Sequence, residues 1–143
     1  MAKGSRQIQV NSMVEVKDQV DPFLRKFIKR KKQAAIIPLG AIEQHGPHLP
    51  VSTDLDIVSE VARRVSERCD FLLLPPMAYG VSFEHLPFFN LSIKNATLQR
   101  LLVDTCLSLS SNNINTVIVI NGHHGNQKAI SNLSLRVNRL SKG

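Results

Sequence analysis

Residues 34–39 read Ala-Ala-Ile-Ile-Pro-Leu and residues 116–120 read Thr-Val-Ile-Val-Ile, and these two short apolar runs decide the fold. Each is continuous rather than alternating, the pattern of a strand covered on both faces, and such strands belong to a parallel sheet lying between helices. The neighbouring segments supply the helices. From Met13 to Lys32, the residues Val16, Val20, Phe23, Leu24, Phe27 and Ile28 recur at roughly helical spacing, with Pro22 near the first turns. A second helix, capped by Thr53 or Asp54, puts Leu55, Val58, Ala62 and Val65 on one face and Glu60, Arg63, Arg64 and Glu67 mostly on others. Phe71 to Leu74 is a further buried strand, stopped by Pro75 and Pro76. Gly80 to Asn95 has no clear period and reads as an irregular active-site loop. Ala96 to Ser111 returns to helix. After Thr116 to Ile120, a turn over Gly122 to Asn126 leads into a last helix reaching about Leu140. The order α-β-α-β-α-β-α predicts a three-layer α/β/α sandwich with a mostly parallel sheet and right-handed crossovers, in a single domain over residues 1–143.

Composition narrows the function. The chain has 143 residues, enough to bury a core, and no apolar run long enough to span a bilayer. Its first residues, MAKGSRQIQV, lack the apolar stretch of a signal peptide, so a cytoplasmic protein is expected. Cys69 and Cys106 lie far apart, in no CxxC spacing, and read as small core residues rather than a disulfide or thiolate zinc site. The formal charge of +7 raises nucleic acid as a partner, because a basic face gathers phosphate. Much of the excess, however, sits in Arg25, Lys26, Lys29, Arg30, Lys31 and Lys32 with no aromatics spaced to stack bases, which reads as the solvated face of a helix.

The unusual residues cluster after all three strands, in GAIEQHGPHLPVSTD, AYGVSFEH and NGHHGN. Ligands of open α/β sheets bind beyond the carboxyl ends of the strands. All five histidines fall in these loops. Glu43 and His45, two residues apart, point to the same side of an extended stretch with Cα atoms roughly 7 Å apart. That suits two metal ions about 3.5 to 4 Å apart, each taking one of the pair. Asp54 has two carboxylate oxygens to bridge them, and His123 adds an imidazole from the end of the third strand. Asp54 has a plainer reading as a helix cap, and Asp56 rivals it in either role. Glu84 and His85 are candidates for proton transfer, or else form a loop ion pair. Ser82 and Tyr79 are candidates to line a substrate pocket, as is His124, which reads equally as a solvent-facing turn residue.

Pro38 to Pro50 (PLGAIEQHGPHLP) with Thr53-Asp54, Tyr79 to His85 (YGVSFEH) and Asn121 to Asn126 (NGHHGN) together resemble the creatininase (creatinine amidohydrolase) family, in order and over about ninety residues. The resemblance implies a three-layer α/β fold and a cytoplasmic, homo-oligomeric hydrolase that cleaves a C–N bond of a small amide, cyclic amide or formamide. It implies one or two divalent ions, zinc first with manganese or iron as alternatives, held by Glu43, His45, Asp54 and His123 with Asp54 shared. In creatininase itself an acidic residue two positions after the last histidine completes the second metal; here that position is Gly125. Family members also run well beyond the third strand, so the resemblance implies a chain whose C-terminal part is missing. The alternatives are a non-catalytic remnant that keeps the fold and a basic module for nucleic acid or an acidic partner.

Overall fold

Strand β2 (Ala34–Leu39) is buried along its whole length and sits inside a four-stranded parallel sheet of order β1-β3-β2-β4. The computed structural model describes residues 14–30 and 34–141; Met13, Lys31 and Lys32, within the predicted first helix, lie outside the described residues. Strand β1 spans Val14–Glu15, β3 Leu72–Leu73 and β4 Thr116–Asn121. Strand β2 runs in register with β4 from Ala34 opposite Thr116 to Leu39 opposite Asn121, and with β3 at Ala35 and Ile36. Helices α1 (Asp21–Arg30), α2 (Thr53–Cys69), α3 (Asn95–Ser111), α4 (Gln127–Ile130) and α5 (Leu133–Leu140) complete the described elements, with one-turn 3-10 segments at Val16–Asp18, Phe83–His85 and His124–Asn126.

Alternation along β2 explains the layers. Ile37 and Leu39 pack with Leu98, Leu102, Val103 and Cys106 of α3, Ala129 of α4 and Leu133 of α5. Ile36 points the other way and packs with Ala62 of α2 and Leu73. A strand residue and its neighbour face opposite sides, so one continuous apolar run feeds two cores. The predicted three-layer α/β/α architecture is thus the observed one. No helix among the described residues is long and apolar enough to cross a membrane.

The first predicted helix is corrected. Val14–Glu15 forms a strand, with Val14 opposite Leu72, and α1 starts only at Asp21. Proline lacks an N–H and fits only the first turn of a helix, so Pro22 marks the true start rather than an interior position. The last predicted helix is also divided, with α4 ending at Ile130 and α5 beginning at Leu133. Cys106 is buried as expected, but Cys69, at the end of α2, is exposed. Arg25, Lys26 and Lys29 lie on an exposed face of α1.

Two glycines seat the first turn of α2 against the sheet. A Cβ on Gly40 would lie 2.6 Å from Leu55 Cα, and one on Gly122 would lie 2.8 Å from Val58 Cβ and 2.9 Å from the Asp54 carbonyl oxygen. Only residues without side chains let the ends of β2 and β4 come this close to the helix, and that approach carries Asp54 to the ends of both strands.

Candidate metal centre

Asp54 is not the cap of α2. Ser52 precedes the helix and its hydroxyl donates to Asp56 Oδ2 at 2.8 Å, while Asp54 lies in the first turn with both oxygens turned to histidines. His45 Nε2 is 3.1 Å from Asp54 Oδ1, and His123 Nδ1 is 2.8 Å from Asp54 Oδ2. His123 Nδ1 also lies 3.2 Å from Glu43 Oε1. The first turn of a helix favours a carboxylate through its exposed N–H groups and the macrodipole.

The other ring nitrogens settle which atoms carry lone pairs. His123 Nε2 is 2.8 Å from the Val81 carbonyl oxygen, which can only accept, so Nε2 carries the proton. His45 Nδ1 is likewise 3.1 Å from the Glu43 carbonyl oxygen. In the neutral rings the lone pairs of His123 Nδ1 and His45 Nε2 therefore face carboxylate oxygens, acceptor against acceptor. Such an arrangement is stable only with a proton or a cation between the two. A histidine that gives its far N–H to a backbone carbonyl and turns its near nitrogen toward carboxylates has the disposition of a metal ligand.

Burial sharpens the demand for a cation. The side chains of Glu43 and His123 are 5% and 4% exposed, and Glu43 Oε2 is buried with no hydrogen-bond partner among the described residues. Burial raises the Glu43 carboxyl above its ordinary 4.5, against the opposing pull of His123 and His85. His45 is raised above 6.5: burial works against its charge, but the hydrogen bonds to the Glu43 carbonyl and to Asp54 outweigh it. Donor atoms of Glu43, Asp54 and His123 lie within 4.8 Å of one another, a spacing that fits a divalent cation. The mixed carboxylate and imidazole set suits zinc, manganese or iron.

The loop of residues 79–91 closes over this cluster. His85 Nε2 is 3.2 Å from Glu43 Oε1, and Glu84 Oε1 is 3.7 Å from His123 Nε2. Gln44 fixes the His85 tautomer: its Oε1 accepts from the Gly46 N–H at 2.9 Å, so its Nε2 donates to His85 Nδ1 at 3.0 Å. His85 therefore keeps its proton on Nε2, directed at Glu43. Ser82 is fully buried; its N–H donates to Ser92 Oγ, and its own Oγ has no hydrogen-bond partner among the described residues. Tyr79 and His124 are exposed and make no hydrogen bond or ion pair with the cluster among the described residues.

Asn126, like Gln44, is a residue that sequence reading missed. Fully buried, it accepts from the Val81 N–H at 2.9 Å and donates to the Gly40 carbonyl and to Asn121 Oδ1, both at 3.1 Å. One side chain thereby ties together the loops after β2, β3 and β4. Its signal was the last residue of NGHHGN, an amide ending a motif otherwise read for its histidines.

Comparison with known proteins follows the same lines. The creatininase family model, described as creatinine amidohydrolase, matches residues 22–142. The mycofactocin precursor peptide peptidase of Mycolicibacterium smegmatis is 41% identical over 103 residues, which are 67% of this chain and 41% of the peptidase. The creatinine amidohydrolase of Pseudomonas putida is 30% identical over 102 residues, 66% of this chain and 39% of that enzyme. A crystal structure of creatinine amidohydrolase superposes with a TM-score of 0.85 at 26% identity, covering 92% of this chain and 53% of that one. A mutant creatininase of zinc–zinc type and a manganese creatininase have also been solved. The chain spans about two-fifths of the length of these curated relatives and about half of the solved creatininase chain.

Proposed function

The chain belongs to the creatininase family, and from that premise we propose that it forms the metal-binding part of an amidohydrolase that cleaves a C–N bond of a small amide, cyclic amide or formamide. The observation that carries this reading is the pair of imidazole lone pairs, His45 Nε2 and His123 Nδ1, facing one oxygen each of Asp54. A non-catalytic remnant has no need to keep such a costly arrangement of like-natured acceptors.

Glu43, Asp54 and His123 would hold one divalent cation, with His45 and Asp54 supporting a second. When bound, such a cation supplies Lewis acidity, acidifying water and polarising an amide carbonyl. The chain's own residues do the rest. Val81 and the Glu43 carbonyl hold the proton on the far nitrogen of each ligating ring, which keeps the near nitrogens free to bind. Gln44 keeps the His85 proton on Nε2, at the edge of the cluster, where a leaving nitrogen can receive it. Glu84, beside it and half exposed, is the second group read as a proton carrier. Tyr79, Ser82 and His124 are the proposed substrate contacts.

Zinc is the proposed ion, with manganese and iron as alternatives, in line with the zinc and manganese forms of creatininase. A homo-oligomer is proposed on the ground that β4 forms an edge of the described sheet. The proposed compartment is the cytoplasm, where the exposed Cys69 thiol stays reduced. A second reading, hydrolysis of a peptide amide, is favoured by the exposed apolar residues Phe83, Leu86, Phe88 and Phe89 on the loop over the site.

The test measures metal per chain and hydrolysis of cyclic amides, formamides and short peptides, for the parent and a Glu43→Ala, His123→Ala double variant. The reading expects stoichiometric metal and turnover in the parent and neither in the variant. Metal-free, inactive parent protein that also refuses added zinc and manganese would sink it.

A further inference from the structure

Gly125 follows His123 by two residues and offers the cluster no side chain, yet the space beside it is filled. A Cβ built on Gly125 would lie 2.6 Å from Glu84 Oε1, 2.5 Å from His123 Nε2 and 2.0 Å from the Val81 carbonyl oxygen. Real Cβ atoms do not approach so closely, so a side chain at 125 and the present positions of Glu84 and Val81 exclude one another. The carboxylate that occupies the place comes from another part of the chain, the single 3-10 turn Phe83–His85 in the loop between β3 and α3.

Donor atoms of Glu84, Glu43 and His85 lie within 4.8 Å of one another, a second grouping that shares Glu43 with the first. Within it His85 spends its Nε2 proton on Glu43, while Glu43 Oε2 is buried without a hydrogen-bond partner among the described residues. A buried carboxylate oxygen with no donor, beside a second carboxylate, is an arrangement that a hard cation relieves and that a proton satisfies for only one of the two groups.

The geometry points to Glu84 as a metal-binding carboxylate, delivered from the β3–α3 loop into the space that residue 125 leaves open, where with Glu43 it forms the second of two cation positions in place of the His45–Asp54 pair. This rests on the metal-centre reading and moves Glu84 from proton transfer to ligation, leaving the proton role to His85. Its ligand is a divalent cation that accepts oxygen donors, such as zinc, manganese or cobalt.

Co(II) titration of the metal-stripped chain, followed by calorimetry and by the visible absorption of the bound ion, tests the assignment in the parent, Glu84→Gln, Glu84→Asp and Glu43→Ala. The side chain of Glu84 is 50% exposed, so the glutamine variant disturbs no packing; far-UV circular dichroism checks its fold. The expected result is two Co(II) ions per chain in the parent, one in Glu84→Gln, and two in Glu84→Asp with the second bound at least about tenfold more weakly. Glu43→Ala is expected to lose both. If Glu84→Gln binds the same number of ions as the parent with the same affinity while Glu43→Ala loses them, the role of Glu84 is overturned and the metal centre stands. A parent that takes up no Co(II) overturns both.

Discussion

His123 Nδ1 stands 2.8 Å from Asp54 Oδ2 although the two residues are separated by 69 positions, and the opposite oxygen of the same carboxylate faces His45. The Asp54 carboxylate is thus shared between both imidazoles. It reaches them because Gly40 and Gly122 let α2 begin directly above the ends of β2 and β4.

Asp54→Asn should separate ligation from folding. The amide has one acceptor where the carboxylate has two, so it cannot serve both histidines through oxygen. Metal content, read by mass spectrometry of the protein-bound ions, should fall to below about a tenth of the parent's. The far-UV circular dichroism spectrum should be unchanged. A variant with full metal content would remove Asp54 from the ligand set.

The pH dependence of stability should change sign with metal. Glu43 and His45 are both raised in the folded chain, above 4.5 and 6.5 respectively, so the folded state binds protons more tightly than the unfolded state. Their contribution in the metal-free chain is fully present below the unfolded values and is lost as pH rises through the higher folded ones. The metal-free Tm should therefore fall as pH increases across that window. Metal competes for the same deprotonated atoms, so the loaded chain should gain Tm over the same interval. Differential scanning calorimetry with and without chelator reads both slopes, and parallel slopes would contradict the assignment.

Asn126→Ala should unsettle the whole cluster. It leaves the buried Val81 N–H without its acceptor and frees three loops from one another. The expected cost is about 1–3 kcal/mol in urea unfolding, accompanied by weaker metal binding. Loss of stability with unchanged affinity would confine Asn126 to a packing role.

Gly122→Ala should act at a distance on Asp54. The added Cβ must displace the start of α2, where it would meet Val58 Cβ at 2.8 Å and the Asp54 carbonyl oxygen at 2.9 Å. An over-packed site of this kind costs about 1–3 kcal/mol, and here the displaced backbone carries a proposed ligand. Metal affinity should fall together with the unfolding midpoint; a drop in neither would show that the helix start is free to move.

The sequence by itself determined the sheet and the location of the chemistry. Residues 34–39 and 116–120 are continuous apolar runs, the pattern of parallel strands between helices; β2 is buried throughout, whereas β4, at an edge of the described sheet, is only half-buried, and the histidines are confined to the loops after the strands. These are properties of a segment and its own burial, and periodicity reports them directly. Tertiary structure decided the rest. Val14–Glu15 is a strand only because β3 offers it a parallel neighbour. Asp54 ceased to be a cap because His45 and His123 meet it from other loops. Glu84 was placed against Gly125 by a turn that no pattern in residues 80–95 announces. Cross-chain distances and ring tautomers arise from contacts between segments remote in sequence, and local spacing carries no information about which remote segment arrives.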